Sequence, residues 1–149
     1  MVLSVFTDEY FMKEALKEAQ KAFDADEVPV GAVIVCKDQI IARAHNLSER
    51  LIDATAHAEM QAFTSASNYL GAKFLEECTL YVTIEPCVMC AGASYWTRIG
   101  KIVFGAHDPK KGFSIINPNM LHPKTKLESG LLEKECSGLM TNYFKMKRR

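Results

Sequence analysis

Residues 79–97 read TLYVTIEPCVMCAGASYWT. Thr79 to Ile84 alternates as a strand does, Glu85 and Pro86 break it, and Cys87 to Thr97 predicts a short helix entered through proline, whose fixed φ and missing N–H suit a helix start. Lys101 to Gly105 follows as another strand. Upstream, Phe11, Met12, Ala15, Leu16, Ala19, Ala22 and Phe23 recur at helical spacing and predict an amphipathic helix from about Asp8 to Ala25, with Thr7 or Asp8 as its cap. Val30 to Cys36 predicts a buried strand, Lys37 to Gln39 a turn and Ile40 to Ala44 the hairpin partner; Gly31 marks a close approach of another backbone. Ala58, Ala62, Phe63, Ala66 and Leu70 return to helical period over Ala56 to about Tyr69, with Thr55 as cap and Gly71 as stop. Strands alternating with helices at these lengths give a layered α/β domain with helices on both faces of a sheet. Past Ala106, the prolines at 109, 118 and 123 predict a long surface loop, and Leu131 to Lys147 a last helix turning Leu132, Cys136, Leu139, Met140, Tyr143 and Phe144 inward.

The 149 residues are 48% hydrophobic and 24% charged, which suits one compact domain, 1–149, able to bury a core without disulfide staples. No apolar stretch approaches the roughly 20 residues of a membrane span, and Met1 to Tyr10 lacks a basic segment ahead of an apolar core, so neither a span nor export is expected. Five cysteines, an odd number, argue against a paired disulfide framework and suit a reducing cytoplasm. The formal charge of zero conceals a division. Residues 1–100 hold 8 Lys and Arg against 14 Asp and Glu, and residues 101–149 hold 10 against 4. Lys110, Lys111, Lys124, Lys126 and the basic tail 145–149 are either a solvated surface or a footprint for phosphates.

His57-Ala58-Glu59 opens one predicted helix, and Cys87-Val88-Met89-Cys90 opens another. Cysteines at i and i+3 present sulfur on one face of a turn, and a helix N-terminus favours the thiolate form that binds metal. His57, Cys87 and Cys90 make three ligands for Zn²⁺, one ion per subunit, which keeps a fourth position for water or hydroxide as catalytic sites do. Glu59, two positions past a ligand, is suited to take a proton from that water and deliver protons to a ring nitrogen and a departing amine. Read singly, Glu59 could serve the helix dipole, His57 a cap or the core, and the cysteines a structural or redox pair; together those readings need three coincidences. Cys36, Cys78 and Cys136 are expected as small buried hydrophobes.

The pairing of His57-Ala58-Glu59 with Pro86-Cys87-Val88-Met89-Cys90 is the signature of zinc-dependent nucleobase deaminases. With Glu27-Val28-Pro29-Val30-Gly31-Ala32-Val33, Asn46, Arg98-Ile99-Gly100 and Val103-Phe104-Gly105-Ala106 around it, the chain resembles the bacterial tRNA-specific adenosine deaminases of the cytidine/deoxycytidylate deaminase superfamily. The resemblance implies a cytidine-deaminase-like three-layer αβα sandwich with a mixed sheet of about five strands. It further implies a cytoplasmic homodimer that converts adenosine to inosine at the wobble position of tRNA, through the anticodon stem-loop. It assigns zinc to His57, Cys87 and Cys90, proton transfer to Glu59, and substrate contacts to Asn46, to the Ala58 backbone and to Asp108, the last beside the target base.

The segment 107–122 departs from that pattern, since Pro109-Lys110-Lys111-Gly112-Phe113-Ser114 lacks the small-residue run expected there. Ala93-Ser94-Tyr95-Trp96-Thr97-Arg98 is similar to the aromatic residues that guanine deaminases carry after their paired cysteines. A free nucleobase or nucleoside deaminase, of guanine or cytosine type, is therefore the alternative, though a small neutral base gives no use for the basic C-terminal third. A zinc-stabilised nucleic-acid-binding module is the non-enzymatic alternative. It needs a fourth protein ligand, His45 or Cys78, and leaves Glu59 without a purpose.

Overall fold

The computed structural model describes residues 6–148, so Met1 to Val5, part of the segment read above for a leader, and Arg149 of the basic tail lie outside the described residues. In chain order the elements are α1 (Asp8–Asp24), β1 (Gly31–Cys36), β2 (Gln39–His45), α2 (Ala58–Leu70), β3 (Cys78–Ile84), α3 (Val88–Thr97), β4 (Lys101–Ala106), α4 (Phe113–Ile116), β5 (Lys126–Ser129) and α5 (Glu133–Lys147). The sheet runs β2-β1-β3-β4-β5, with β1 antiparallel to both β2 and β3, and with β3, β4 and β5 parallel. It is the expected mixed five-stranded αβα sandwich.

Period-two alternation divides each central strand between two cores. Ala32, Ile34, Leu80, Val82, Ile102 and Phe104 pack on the α2 face, under Ala58, Ala62, Phe63 and Ala66. Val33, Val35, Tyr81 and Val103 point the other way, onto Phe11, Met12 and Ala15 of α1 and Cys136 of α5. Each large side chain so buried contributes about 1.5 to 3 kcal/mol. At Gly31 a Cβ would collide with the backbone of α1 at Ala15 and Ala19, which is the close approach expected there. Glu14 of α1 reaches back to the sheet, pairing with Arg43 at 2.7 Å and with Lys17 at 2.6 Å.

Three expectations change in detail. Thr7 does cap α1, accepting the Tyr10 N–H at 3.1 Å, but Thr55 caps nothing: its N–H and hydroxyl both donate to Asp53 in a turn, and α2 starts two residues later behind His57. The segment after Ala106 is not wholly loop, because it holds α4 and the edge strand β5. The residues of β5 are all exposed and carry no buried alternation to betray a strand. In α5, Cys136 and Tyr143 are buried as expected, whereas Phe144 is exposed. Among the described residues no helix is long and apolar enough to cross a membrane.

Candidate active site

The N-termini of α2 and α3 bring the sequence-predicted ligands together. His57 and Cys87 are the residues immediately before each helix, both in extended backbone, and neither caps its helix with its side chain. Instead His57 Nδ1 lies 3.5 Å from Cys87 Sγ and 3.7 Å from Cys90 Sγ, and the ligand atoms of all three fall within 4.8 Å of one another. The donor chemistry matches a borderline-soft divalent ion. A hydrogen bond from the Cys90 thiol, working against burial and helped by His57, draws the Cys87 thiol down to about 4; the same bond and burial push Cys90 up, and Cys87 raises His57. One thiolate is thus already favoured beside an imidazole, and a bound cation would replace the shared protons. This set fits zinc, which prefers such N and S ligands.

Among the described residues only these three form such a group. His45 sits 3.6 Å from Glu18 against α1, and Cys78 stands opposite Cys36 across β1 and β3. The fourth protein ligand required by a purely structural zinc module is therefore missing, which removes the non-enzymatic alternative in the form stated above. Cys78 and Cys136 are buried as expected, and Cys36 is half-buried.

Glu59 lies in the first turn of α2, only 4% exposed, and burial raises its carboxyl to about 7. Ala58, the first residue of α2, is buried beside it, where the opening N–H groups of a helix have no partner within the helix. Asn46, at the end of β2, is buried; its Oδ1 accepts the Ser48 N–H at 3.3 Å, a turn-forming bond, and its backbone N–H donates to Val30. Asp108 follows β4, where its Oδ1 accepts the N–H groups of Lys110 and Lys111, each at 3.0 Å. Tyr95 and Trp96 are both exposed, Trp96 at 78%, so neither is core. They line a surface groove with Phe74 and Arg98 at the far end of α3, about 8 to 14 Å along the helix from the cysteines.

Besides Glu14 and Glu18 of α1, buried although helical spacing puts them on the face opposite the apolar positions, two buried carboxylates escaped sequence reading because each sits beside a stronger signal. Glu27 precedes the Val-Pro turn, and its oxygens accept the N–H groups of Glu49 at 2.9 Å and Arg50 at 2.7 Å, holding the loop that joins Asn46 to His57. Glu85, read only as part of a strand stop, accepts hydrogen bonds from residues 107, 108 and 114. Burial pushes its carboxyl up, but the bonds from Ser114, Asp108 and His107 together hold it below the ordinary carboxylate value. The available signal was an acidic residue closing an otherwise apolar strand.

With this geometry in place, comparison with known proteins is specific. The cytidine and deoxycytidylate deaminase zinc-binding region matches residues 6–106. The chain is similar to a tRNA-specific adenosine deaminase of Bacillus subtilis, 49% identical over 95% of this chain and 91% of that protein. It is also similar to a structure solved in work on A-to-I editing by tRNA:A34 deaminases, 41% identical with a TM-score of 0.80 over 87% of this chain and 98% of the other. A guanine deaminase structure from Bacillus subtilis is 36% identical, with a TM-score of 0.67 over 78% of each chain. The matched region holds His57, Glu59, Cys87 and Cys90, and on that match and this site the chain belongs to the zinc-dependent cytidine and deoxycytidylate deaminase family.

Proposed function

We propose that this chain, one deaminase domain over 1–149, hydrolytically converts adenosine to inosine at the wobble position of tRNA anticodons, in the cytoplasm and as a homodimer. The observation that carries the reading is the convergence of His57, Cys87 and Cys90 beside buried Glu59, in a chain similar over nearly its whole length to a tRNA-specific adenosine deaminase. His57, Cys87 and Cys90 would hold the zinc, which when bound would supply Lewis acidity and make water a nucleophile near neutral pH.

The remaining work falls to the chain itself. Water must add its oxygen to C6 of adenine, and N6 must leave as ammonia. Glu59 takes one proton from the water and passes it to N1, then takes the second from the hydroxyl added at C6 and gives it to N6 as the C6–N6 bond breaks. Asn46, with its Oδ1 occupied by Ser48, keeps its amide N–H groups for acceptors on the purine, and the backbone at Ala58 assists. Asp108 meets the nucleotides beside the target, and exposed Lys110, Lys111 and Lys124 lie in the same segment to meet phosphates.

The test incubates zinc-loaded protein with unmodified bulk tRNA and measures inosine by nuclease digestion and mass spectrometry, with ammonia release from free guanine and cytosine run in parallel. Inosine at the wobble position is the expected result. Ammonia from a free base with tRNA untouched would keep the zinc chemistry and overturn the substrate.

A further inference from the structure

Glu85 occupies the junction between β3 and the ligand-bearing turn, and its carboxylate is bound by the segment that follows β4. Only 4% exposed, it accepts at Oε1 from the Asp108 backbone N–H at 3.2 Å, with His107 Nδ1 also at 3.2 Å, and at Oε2 from Ser114 N–H at 3.0 Å and the Ser114 hydroxyl at 2.6 Å. The backbone doubles the attachment. Phe113 N–H donates to the Pro86 carbonyl at 2.9 Å, and Glu85 N–H to Ala106 at 2.8 Å. Gly112 lies so close to the Glu85 carboxylate that any Cβ there would collide with it. Buried Phe113 seats the short helix that follows. The segment 107–114 is therefore fastened at both ends to one buried side chain, two residues before Cys87.

We propose that Glu85 is a positioning residue for substrate recognition: it holds 107–114, and with it Asp108 and its lysines, in register with the zinc-bearing turn. It does not touch the reacting atoms. This rests on the reading that the segment meets the nucleotides flanking the target base. The chemistry at C6 belongs to α2 and α3, whereas alignment of the RNA belongs to a segment tethered through one carboxylate. Since both oxygens of Glu85 are engaged by donors, Glu85→Gln keeps the shape but must turn an NH2 toward either the Asp108 N–H or the Ser114 N–H. Ser114→Ala removes one donor alone, and Ser114→Thr restores the hydroxyl.

The experiment measures steady-state kinetics on an anticodon stem-loop carrying adenosine at the wobble position, with zinc content and amide hydrogen exchange on the same preparations. For Glu85→Gln the expected result is KM raised tenfold or more, kcat within about threefold of the parent chain, full zinc, and exchange in 107–114 faster by at least tenfold while 88–97 is unchanged. Ser114→Ala raises KM about threefold, and Ser114→Thr returns it. An unchanged KM, a loss of zinc, or a fall in kcat without a rise in KM overturns the proposal. If Glu85→Gln does not fold, the Ser114 pair decides on the same terms. If the parent chain does not act on the stem-loop, the reading of its substrate fails instead, and unaltered exchange in 107–114 would still refute the tether.

Discussion

Replacing Glu14 with Gln is expected to destabilise the fold at neutral pH and to do nothing at low pH. Glu14 has a side chain 9% exposed and pairs with Arg43 at 2.7 Å and Lys17 at 2.6 Å, their side chains 41% and 70% exposed. The bond from Lys17, then that from Arg43, hold its carboxyl below the ordinary value against burial. A hydrogen bond to a charged group contributes about 1.5 to 3 kcal/mol, but two partly exposed cations are screened by water and Gln keeps one acceptor oxygen. The expected loss is about 1 to 1.5 kcal/mol, or about 2 to 6 °C in the midpoint for a chain of this size. Because the folded-state value lies below the unfolded one, the unfolded chain binds the extra proton first. The contribution is thus complete above the unfolded value of 4.5 and disappears as pH falls through the lower folded value. Urea unfolding of both proteins at a series of pH values from 7 to 3 measures the gap directly. A gap that stays constant across the series, or no gap at pH 7, would refute the assignment of stability to this charge.

Glu59→Gln is expected to retain zinc and fold while inosine formation drops by about 10² to 10⁴, read in single-turnover assays; a rate near that of the parent chain removes Glu59 from the chemistry. Cys87→Ala is expected to lose zinc, and its melting temperature should no longer respond to a chelator that lowers the parent's by several degrees. The tail can be divided by structure, since Lys147 is held by both oxygens of Asp26 at 3.0 Å. Lys145→Gln should therefore flatten the salt dependence of tRNA binding by about 0.7 to 0.9 in the log–log slope, and Lys147→Gln by less. Equal slopes for the two variants would contradict that division.

The parts of the molecule legible in the chain are those whose physics is local. Apolar positions at helical spacing located α1 and α2 to within two residues at either end, and alternation or short apolar runs located β1 to β4. The zinc residues were legible because ligand chemistry demands particular atoms at a helix start. What stayed hidden depends on partners distant in sequence. Strand β5 owes its place to backbone pairing with β4, although none of its side chains is buried. Glu27 and Glu85 are buried carboxylates whose donors arrive from about 22 to 29 positions away, so nothing near either residue announces a partner. Thr55 failed as a cap because an aspartate two residues earlier competes for it.

Both ligand-bearing helices begin behind a residue whose side chain leaves the first N–H groups uncapped, His57 for α2 and Cys87 for α3. Ser, Asp or Asn at such a position contributes about 1 kcal/mol to an ordinary helix. A thermostability screen run without metal would therefore favour hydroxyl or carboxylate side chains at 57 and 87, and each improvement would dismantle the centre. Selection for a robust catalyst from this chain has to be made on the zinc-loaded protein, where the ion supplies the cohesion that the two helix starts forgo.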